Sequence, residues 1–565
     1  MLKNRIENTG QPAGIRAAAL AGGLIVFFAA ACAGLLTCHR YFQGGQSYEF
    51  CHYSEMAENL RSGHGLTSMA RTPGQMAALD ASGANAAGKI FDGGRFPLNT
   101  ILVALAQAVF GGGDFPALAA GILAHSLWAA AVFVCGLLFF SVPAAFAAAL
   151  LWAVNPALTA GLVAGGHPDL LSGFFCTLSS FLFIDSLEKR RSARSFFLLG
   201  LLFGLAYLSR FTLLALAPLV PVFAIGVLGW RNGARISAAL AAGAALPAIP
   251  WLIYAGIQPQ SAPSLFWTQL AANTIAGATP WQEYRLYGPQ DFAVPGIAAL
   301  LALKWASNFL SFLREAPKLW FLYLAVPAAL AYAISSFARK QGPRLLLAFY
   351  GAALLLQLAG FSLLRHETLG ICGGRYYLWM GPLLLLAACQ FVFELGEKTG
   401  RKKTLALFAA ANLLIFGYCY SRIETGSGHP SGRPVPLWQE LIWARQLPPD
   451  AVVLSNIPIQ TAWYAKRESI GITTDPAQMP ALLKKHKADY LLLSPSAAGE
   501  QWHYPAWGAI ARLEPNALEQ LKKESGFILE KAEDGAALFK RLPPKDAVAT
   551  SAPARSRPKA PARAR

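Results

Sequence analysis

Charged side chains are scarce in this chain. Only 14% of its 565 residues are Asp, Glu, Lys or Arg, against 55% hydrophobic and 12% aromatic, and the mean hydropathy is +0.40. So little charge excludes an ordinary soluble enzyme and reads as a polytopic membrane protein. Carboxylates are the rarer sign, 30 against 48 cations, which leaves a formal charge of +18. In a soluble protein that surplus would point to nucleic acid. Here Lys and Arg collect in short loops between apolar runs and in a basic tail, as orientation signals do, so nucleic acid is excluded as a partner. The histidines lack HxxxH or HExxH spacing, and no metal-specific cluster is visible, so no metal site is assigned from the sequence.

What the chain has in quantity is apolar runs. About 20 mostly apolar residues cross the hydrocarbon core as a helix. By that test spans fall near 15–37, 116–140, 142–160, 169–187, 196–209, 211–229, 236–257, 319–337, 345–364, 378–396 and 404–421. The fifth and sixth are separated only by Arg210 and read as two helices, because one would be far too long. Lys and Arg should lie on the cytoplasmic side. The N-terminus (Lys3, Arg5, Arg16), "EKRRSAR", "WRNGAR", "ARKQGPR" and "KTGRKK" all do so if about 11 spans are counted. That count leaves out 95–113 and 296–318, which read as interfacial or re-entrant helices. The first run reads as a retained anchor rather than a cleaved signal, since its apolar core is longer than a signal core.

This parity places a large first loop (38–115), a middle loop (258–295) and everything from 422 onward outside the cytoplasm. In the C-terminal segment "LWQELIWARQL" reads helical, "AVVLS" and "YLLLS" read as buried strands, and "PALLKKHKA" as a helix between them. The expected organisation is a transmembrane domain over 1–421, a small α/β domain over 422–545 and a disordered Ala/Pro/Arg-rich tail over 546–565. Cys32, Cys135, Cys176 and Cys389 lie in apolar spans and read as buried packing. Cys38, Cys51, Cys372 and Cys419 lie near the outer side, where a disulfide is permitted, and Cys38 with Cys51 is one possible pair.

Polar residues gather on that same outer face. "SYEFCHYSEMAENLRSGHGL" supplies Glu49, His52, Tyr53 and Glu55, and Arg95 begins the first interfacial helix. "GGHPDLL" sets Asp169 at the mouth of the fourth span, Arg210 marks the next outer turn, and "RHETLGICGGRYY" adds Arg365, His366, Glu367, Arg375, Tyr376 and Tyr377. Charge at membrane depth is costly, so its concentration on one face points to a shared polar cavity. Each group also has a plain structural reading. Glu55 and Glu58 fit the solvated face of an amphipathic helix, His52 and His64 fit structural or solvated roles, Arg210 and Arg375 fit interfacial anchors, and Asp169 fits a helix cap.

Five passages together resemble a family. Glu49, Tyr53, Ala57, Asn59, Leu60, Gly63 and Gly65 are similar to the first-loop pattern of GT-C glycosyltransferases of the protein mannosyltransferase and aminoarabinose transferase group, the family 39 type. "HPDLLSGFFCTLSSFLF" resembles the second acidic motif, "GLLFGLAYLSRFTLLALAPLVP" the Gly-Leu hairpin, and "RYYLWMGPLLLL" the late Arg-Tyr helix. "DAVVLSNIPIQTAWYAKRESIGI" resembles the small extracytoplasmic domain that follows the last span. One departure is that Glu49, followed by Phe50, stands where the family usually has Asp.

The resemblance implies a GT-C-like polytopic helical fold and a sugar donor carried on a polyprenyl phosphate. It implies transfer to a lipid, glycan or protein acceptor at the outer surface, in a bacterial inner membrane. Such chemistry needs a carboxylate to take the acceptor hydroxyl's proton, permanent positive charge for the phosphate leaving group, and anionic stabilisation of an oxocarbenium-like transition state. Glu49 and Asp169 are therefore the expected catalytic carboxylates. Arg95, Arg375 and Arg210 are expected to bind the phosphate, with Tyr376, Tyr53 and His52 beside the substrate. A divalent cation is left open as a cofactor. The rival reading is a membrane transporter or lipid flippase, which intramembrane charge and Gly/Pro-rich helices also fit; against it stand the lack of visible internal repeats and the attached soluble segment.

Overall fold

The computed structural model describes residues 12–83, 88–210, 216–258, 283–293, 295–315, 322–361, 373–401, 403–423, 431, 433–495 and 507–543. Its first part is helical: α1 (Pro12–Tyr41), α2 (Tyr48–Arg61), α3 (Pro73–Ser82), α4 (Pro97–Phe110), α5 (Phe115–Gly136), α6 (Val142–Ala153), α7 (Asp169–Glu188) and α8 (Ala193–Ser209). There follow α9 (Leu219–Leu228), α10 (Trp230–Gly256), α11 (Ile297–Glu315), α12 (Ala325–Ala338), α13 (Arg344–Phe361), α14 (Gly381–Lys398) and α15 (Thr404–Arg422).

Each of the eleven expected spans overlaps a helix. Among the described residues, six helices can cross a membrane by length and composition, or seven if α6 and the π-helical turn Ala157–Val163, bent by 41°, are one span. α8, α9, α12 and α13 are apolar but shorter. The two uncounted segments form the helices α4 and α11.

Apolar faces alone do not explain the packing, because lipid tails compete for them; small residues let helices approach instead. α8 and α10 cross this way. A Cβ on Gly200 would sit 2.2 Å from the Leu240 carbonyl oxygen, and one on Gly243 2.0 Å from that of Phe197. Larger side chains lock α5, α6 and α7 together: Trp128 meets Trp152 edge-on at 4.9 Å and donates its indole N–H to Thr177 at 2.8 Å.

The cysteines correct two expectations. Cys38 and Cys51 are buried free thiols, the Cys51 S–H donating to the Gly45 carbonyl at 3.0 Å. Cys32 is exposed on the apolar outer face of α1, where lipid rather than protein would cover it. Cys372 lies outside the described residues.

The expected strands β4 (Val452–Ser455) and β6 (Tyr490–Leu493) and the helices Gln439–Gln446 and Met479–Lys485 are all present. They belong to a six-stranded mixed sheet in the order β2-β5-β4-β6-β8-β7, with β5 at Glu468–Gly471, β7 at Phe527–Glu533 and β8 at Ala536–Arg541. Its edge strand β2 (Ala70–Arg71) comes from the first loop and runs parallel to β5. Two shorter strands of that loop, β1 (Thr67–Ser68) and β3 (Ile90–Phe91), pair antiparallel.

Candidate active site

α2 starts because Ser47 caps it, its hydroxyl accepting the Glu49 N–H at 3.1 Å. Glu49 thus lies in the first turn, where the helix dipole favours a carboxylate. The "GGHPD" loop reaches it from the other side. Gly166 has φ +62° and packs so closely that a Cβ would lie 2.8 Å from the Phe50 ring and 3.0 Å from Phe50 Cα. Pro168 then opens α7 with Asp169 as its first residue.

These backbones bring together two carboxylates separated by 120 residues. His167 Nδ1 is 2.6 Å from Glu49 Oε2, and Arg95 Nη1 is 3.4 Å from Glu49 Oε1. Arg210 Nη1 contacts Asp169 Oδ2 at 2.5 Å with both side chains buried. Asp169 lies in the first turn of α7, where the helix dipole favours a carboxylate, and its side chain is also held by the Arg210 ion pair. Glu49, His167 and Asp169 each present one atom within 4.8 Å of the others.

Aromatic rings wall the arginines. The Arg95 guanidinium lies 5.0 Å from the Tyr48 ring centroid and 5.8 Å from that of Tyr53, and Arg210 lies 4.7 Å from that of Tyr376. Such faces attract a cation without removing its charge. Burial pushes the phenols of Tyr48 and Tyr53 up to about 12, so both stay neutral donors.

Of the expected site residues, Glu49, Asp169, Arg95, Arg210, Tyr53 and Tyr376 converge here. Arg375 lies in the 3-10 turn Gly373–Met380, but its side chain, like all of Arg365, His366 and Glu367, lies outside the described residues. His52 takes a different place. It is 1% exposed and its Nε2 meets Asp92 Oδ2 at 2.8 Å. Asp92 in turn accepts the Gly94 N–H at 2.9 Å, so His52 braces the turn that carries Arg95.

His167 was not singled out in the sequence, although the "GGHPD" string contains it. A histidine two residues before a helix-opening Asp is a weak signal, and its contact with Glu49 spans 118 residues. Glu55 also departs from the solvated reading: it is 1% exposed. Glu58 does lie at the surface, paired with Lys466 at 2.5 Å.

Glu49, His167 and Asp169 offer an O, N, O donor set that could hold one small divalent ion. Yet each carboxylate already has an arginine and His167 Nδ1 is engaged by Glu49, so an ion there would compete with bonds the protein makes.

Beside this constellation, α8, α9 and α10 line an open apolar pocket of about 670 Å³, with Phe203, Tyr207, Val220, Ala241 and Leu252 among its walls. Tyr207 links it to the polar site, its ring 5.2 Å from that of Phe96, the neighbour of Arg95.

Known proteins resemble this chain in part of its sequence and in fold. Residues 95–254 match the family model of dolichyl-phosphate-mannose-protein mannosyltransferase. No curated protein sequence matches the chain. Among solved structures, ArnT from Cupriavidus metallidurans bound to undecaprenyl phosphate is similar at TM-score 0.53 and 14% identity, over 94% of this chain and 98% of that one. The oligosaccharyltransferase AglB from Archaeoglobus fulgidus, in complex with an inhibitory peptide and a dolichol-phosphate, is similar at TM-score 0.55 and 13% identity, over 93% of this chain and 74% of that one. The chain shares the fold of these two solved structures, and its residues 95–254 are similar to the dolichyl-phosphate-mannose-protein mannosyltransferase family.

Proposed function

We propose that this GT-C-type membrane glycosyltransferase moves a sugar from a polyprenyl-phosphate donor to an acceptor hydroxyl or amine through Glu49 and Asp169. The observation that carries the reading is the two converging carboxylates, each held by its own arginine. Glu49 takes the acceptor's proton as the glycosidic bond forms, and His167 orients it and passes the proton on. Asp169 stabilises the positive charge developing on the sugar. Arg95 and Arg210 bridge from the carboxylates to the phosphate leaving group, which departs as an anion and needs positive charge rather than a proton; the sequence resemblance assigns Arg375 to the same phosphate. A divalent ion, if bound at Glu49, His167 and Asp169, would polarise the acceptor. The apolar pocket of about 670 Å³ supports an isoprenoid chain lying beside the head group.

About eleven membrane passages, with the site and the C-terminal α/β region on the extracytoplasmic face of a bacterial inner membrane, fit the loop charges and this donor chemistry. The test supplies purified protein in lipid nanodiscs with a panel of polyprenyl-phosphate sugars and a membrane extract as acceptor. Donor-dependent transfer by the wild type, lost in folded Glu49→Gln protein, is the expected result. A folded wild type that turns over no donor but moves lipid or solute across vesicles overturns it in favour of a transporter.

A further inference from the structure

A second buried carboxylate on α2 takes no part in the chemistry above. Glu55 lies six residues after Glu49, about 9 Å along the helix and on another face. It is 1% exposed, and its oxygens accept from the Ser68 hydroxyl at 2.5 Å, the Met69 N–H at 2.6 Å and the Asn59 amide at 3.3 Å. Asn59 also donates to the Thr67 carbonyl at 2.8 Å. Every one of these bonds either grips the segment 67–69 or braces the grip.

That segment leads into the C-terminal sheet. The Met69 carbonyl accepts the Ser469 N–H at 3.0 Å, and Ala70 and Arg71 pair with Ser469 and Ile470 as the edge strand β2. Arg71, itself buried, closes the joint on Glu468 at 2.7 Å. The other end of α2 is held by the same C-terminal region. Gly45 donates to the Tyr464 hydroxyl at 2.5 Å and Gln460 donates to the Gln46 carbonyl at 2.9 Å. Tyr464 and Trp463 also donate to Asp114, at 2.8 and 2.9 Å, at the start of α5. Glu49 therefore sits on a helix held at one end by the helix Pro458–Ala465 of the C-terminal region and at the other by the strand joint with β5 of the same region.

We infer that Glu55 is a positioning residue for Glu49, the joint through which the C-terminal sheet fixes the catalytic helix against the His167 loop. The inference rests on the proposed role of Glu49. A buried carboxylate is costly unless its hydrogen bonds are made, so the 67–69 segment cannot leave Glu55 without exposing that cost. A base misplaced by about 1 Å loses on the order of 100-fold in rate, which is what such a clamp prevents.

The test uses the full-length protein in nanodiscs with Glu55→Gln, whose amide keeps the shape but cannot accept at both oxygens. Two readouts are taken. Amide exchange in peptides covering residues 48–61 should rise at least about tenfold while that in β4 stays unchanged, a coupling that does not depend on any activity. Transfer should fall at least about tenfold in kcat with donor KM unchanged, and adding Glu55→Gln to Glu49→Gln should cause no further loss. If Glu55→Gln fails to fold, Ser68→Ala removes one bond of the same joint and is read the same way. Unchanged exchange in 48–61 overturns the inference even if the wild type proves inactive. Equal rate losses in the wild-type and Glu49→Gln backgrounds overturn it too, because they mark a general structural effect.

Discussion

The Asp169 and Arg210 pair offers a way to separate folding from chemistry. The two side chains are 3% and 10% exposed and meet at 2.5 Å, so neither charge has water to fall back on. Asp169→Asn keeps the volume but takes from the buried Arg210 guanidinium the carboxylate it meets, which for breaking a buried pair costs about 3–5 kcal/mol. The Tyr376 face, 4.7 Å from Arg210, is present in wild type and variant alike and so does not offset that loss. A loss of about 3–5 kcal/mol lowers the thermal midpoint by several degrees. Arg210→Gln should cost as much by leaving Asp169 unpaired. The double variant Asp169→Asn with Arg210→Gln removes both charges and should recover most of the stability, since a buried pair and a neutral replacement often differ little. Transfer should not recover, because the carboxylate is still missing. The assay compares thermal midpoints by fluorescence-detected size exclusion with transfer rates for all four proteins. A single variant within about 1 °C of wild type refutes the buried-pair energetics. A double variant that regains transfer along with stability refutes a chemical role for Asp169.

Glu49→Gln should lower transfer about 10²- to 10⁴-fold, the range for losing a general base, and His167→Gln about tenfold, both measured as initial rates on protein matched for folded fraction. Burial pushes the Asp92 carboxyl up, but His52 and Arg95 more than offset this and hold it at about 2. The folded value lies below the ordinary 3.8, so the stabilisation is present above that pH and lost as pH falls toward 2. Midpoints of wild type and Asp92→Asn should therefore differ at neutral pH and converge toward pH 2. Gly166→Ala should separate the His167 loop from α2 and lower transfer at least about tenfold, because φ +62° and contact with Phe50 Cα both oppose a side chain; near-wild-type rates would show that the loop can shift. Chelation by EDTA should change the rate less than about twofold, since arginines already balance both carboxylates, whereas loss restored by added Mg²⁺ or Mn²⁺ would assign the ion a role.

The membrane-length helices were legible from composition because hydrocarbon imposes a length and an apolarity that every span must meet locally. So were Glu49 and Asp169, as rare carboxylates in a greasy chain, and the strands β4 and β6, as short apolar runs. Arg95 and Arg210 were legible as charges but not as partners: Arg210 lies 41 residues from Asp169, and Arg95 lies 46 from Glu49. No local pattern encodes pairings at that distance. His52 and His167 show the same limit in opposite ways. On the helix that carries Glu49, His52 turned toward Asp92, while His167, from a distant loop, turned toward Glu49.

The α/β pattern of the C-terminal segment was local, but its edge strand was not. Ala70 and Arg71 are too short a run to read as a strand alone, and they become one only because β5 offers an open edge. Glu55 looked solvated because helix periodicity says which residues share a face, not what covers that face. Sequence by itself determined the solvent the chain must live in and the side chains able to do chemistry. Tertiary structure alone decided which of them meet, because meeting depends on where glycine seams, a tight loop at Gly166 and a shared sheet bring distant backbones together.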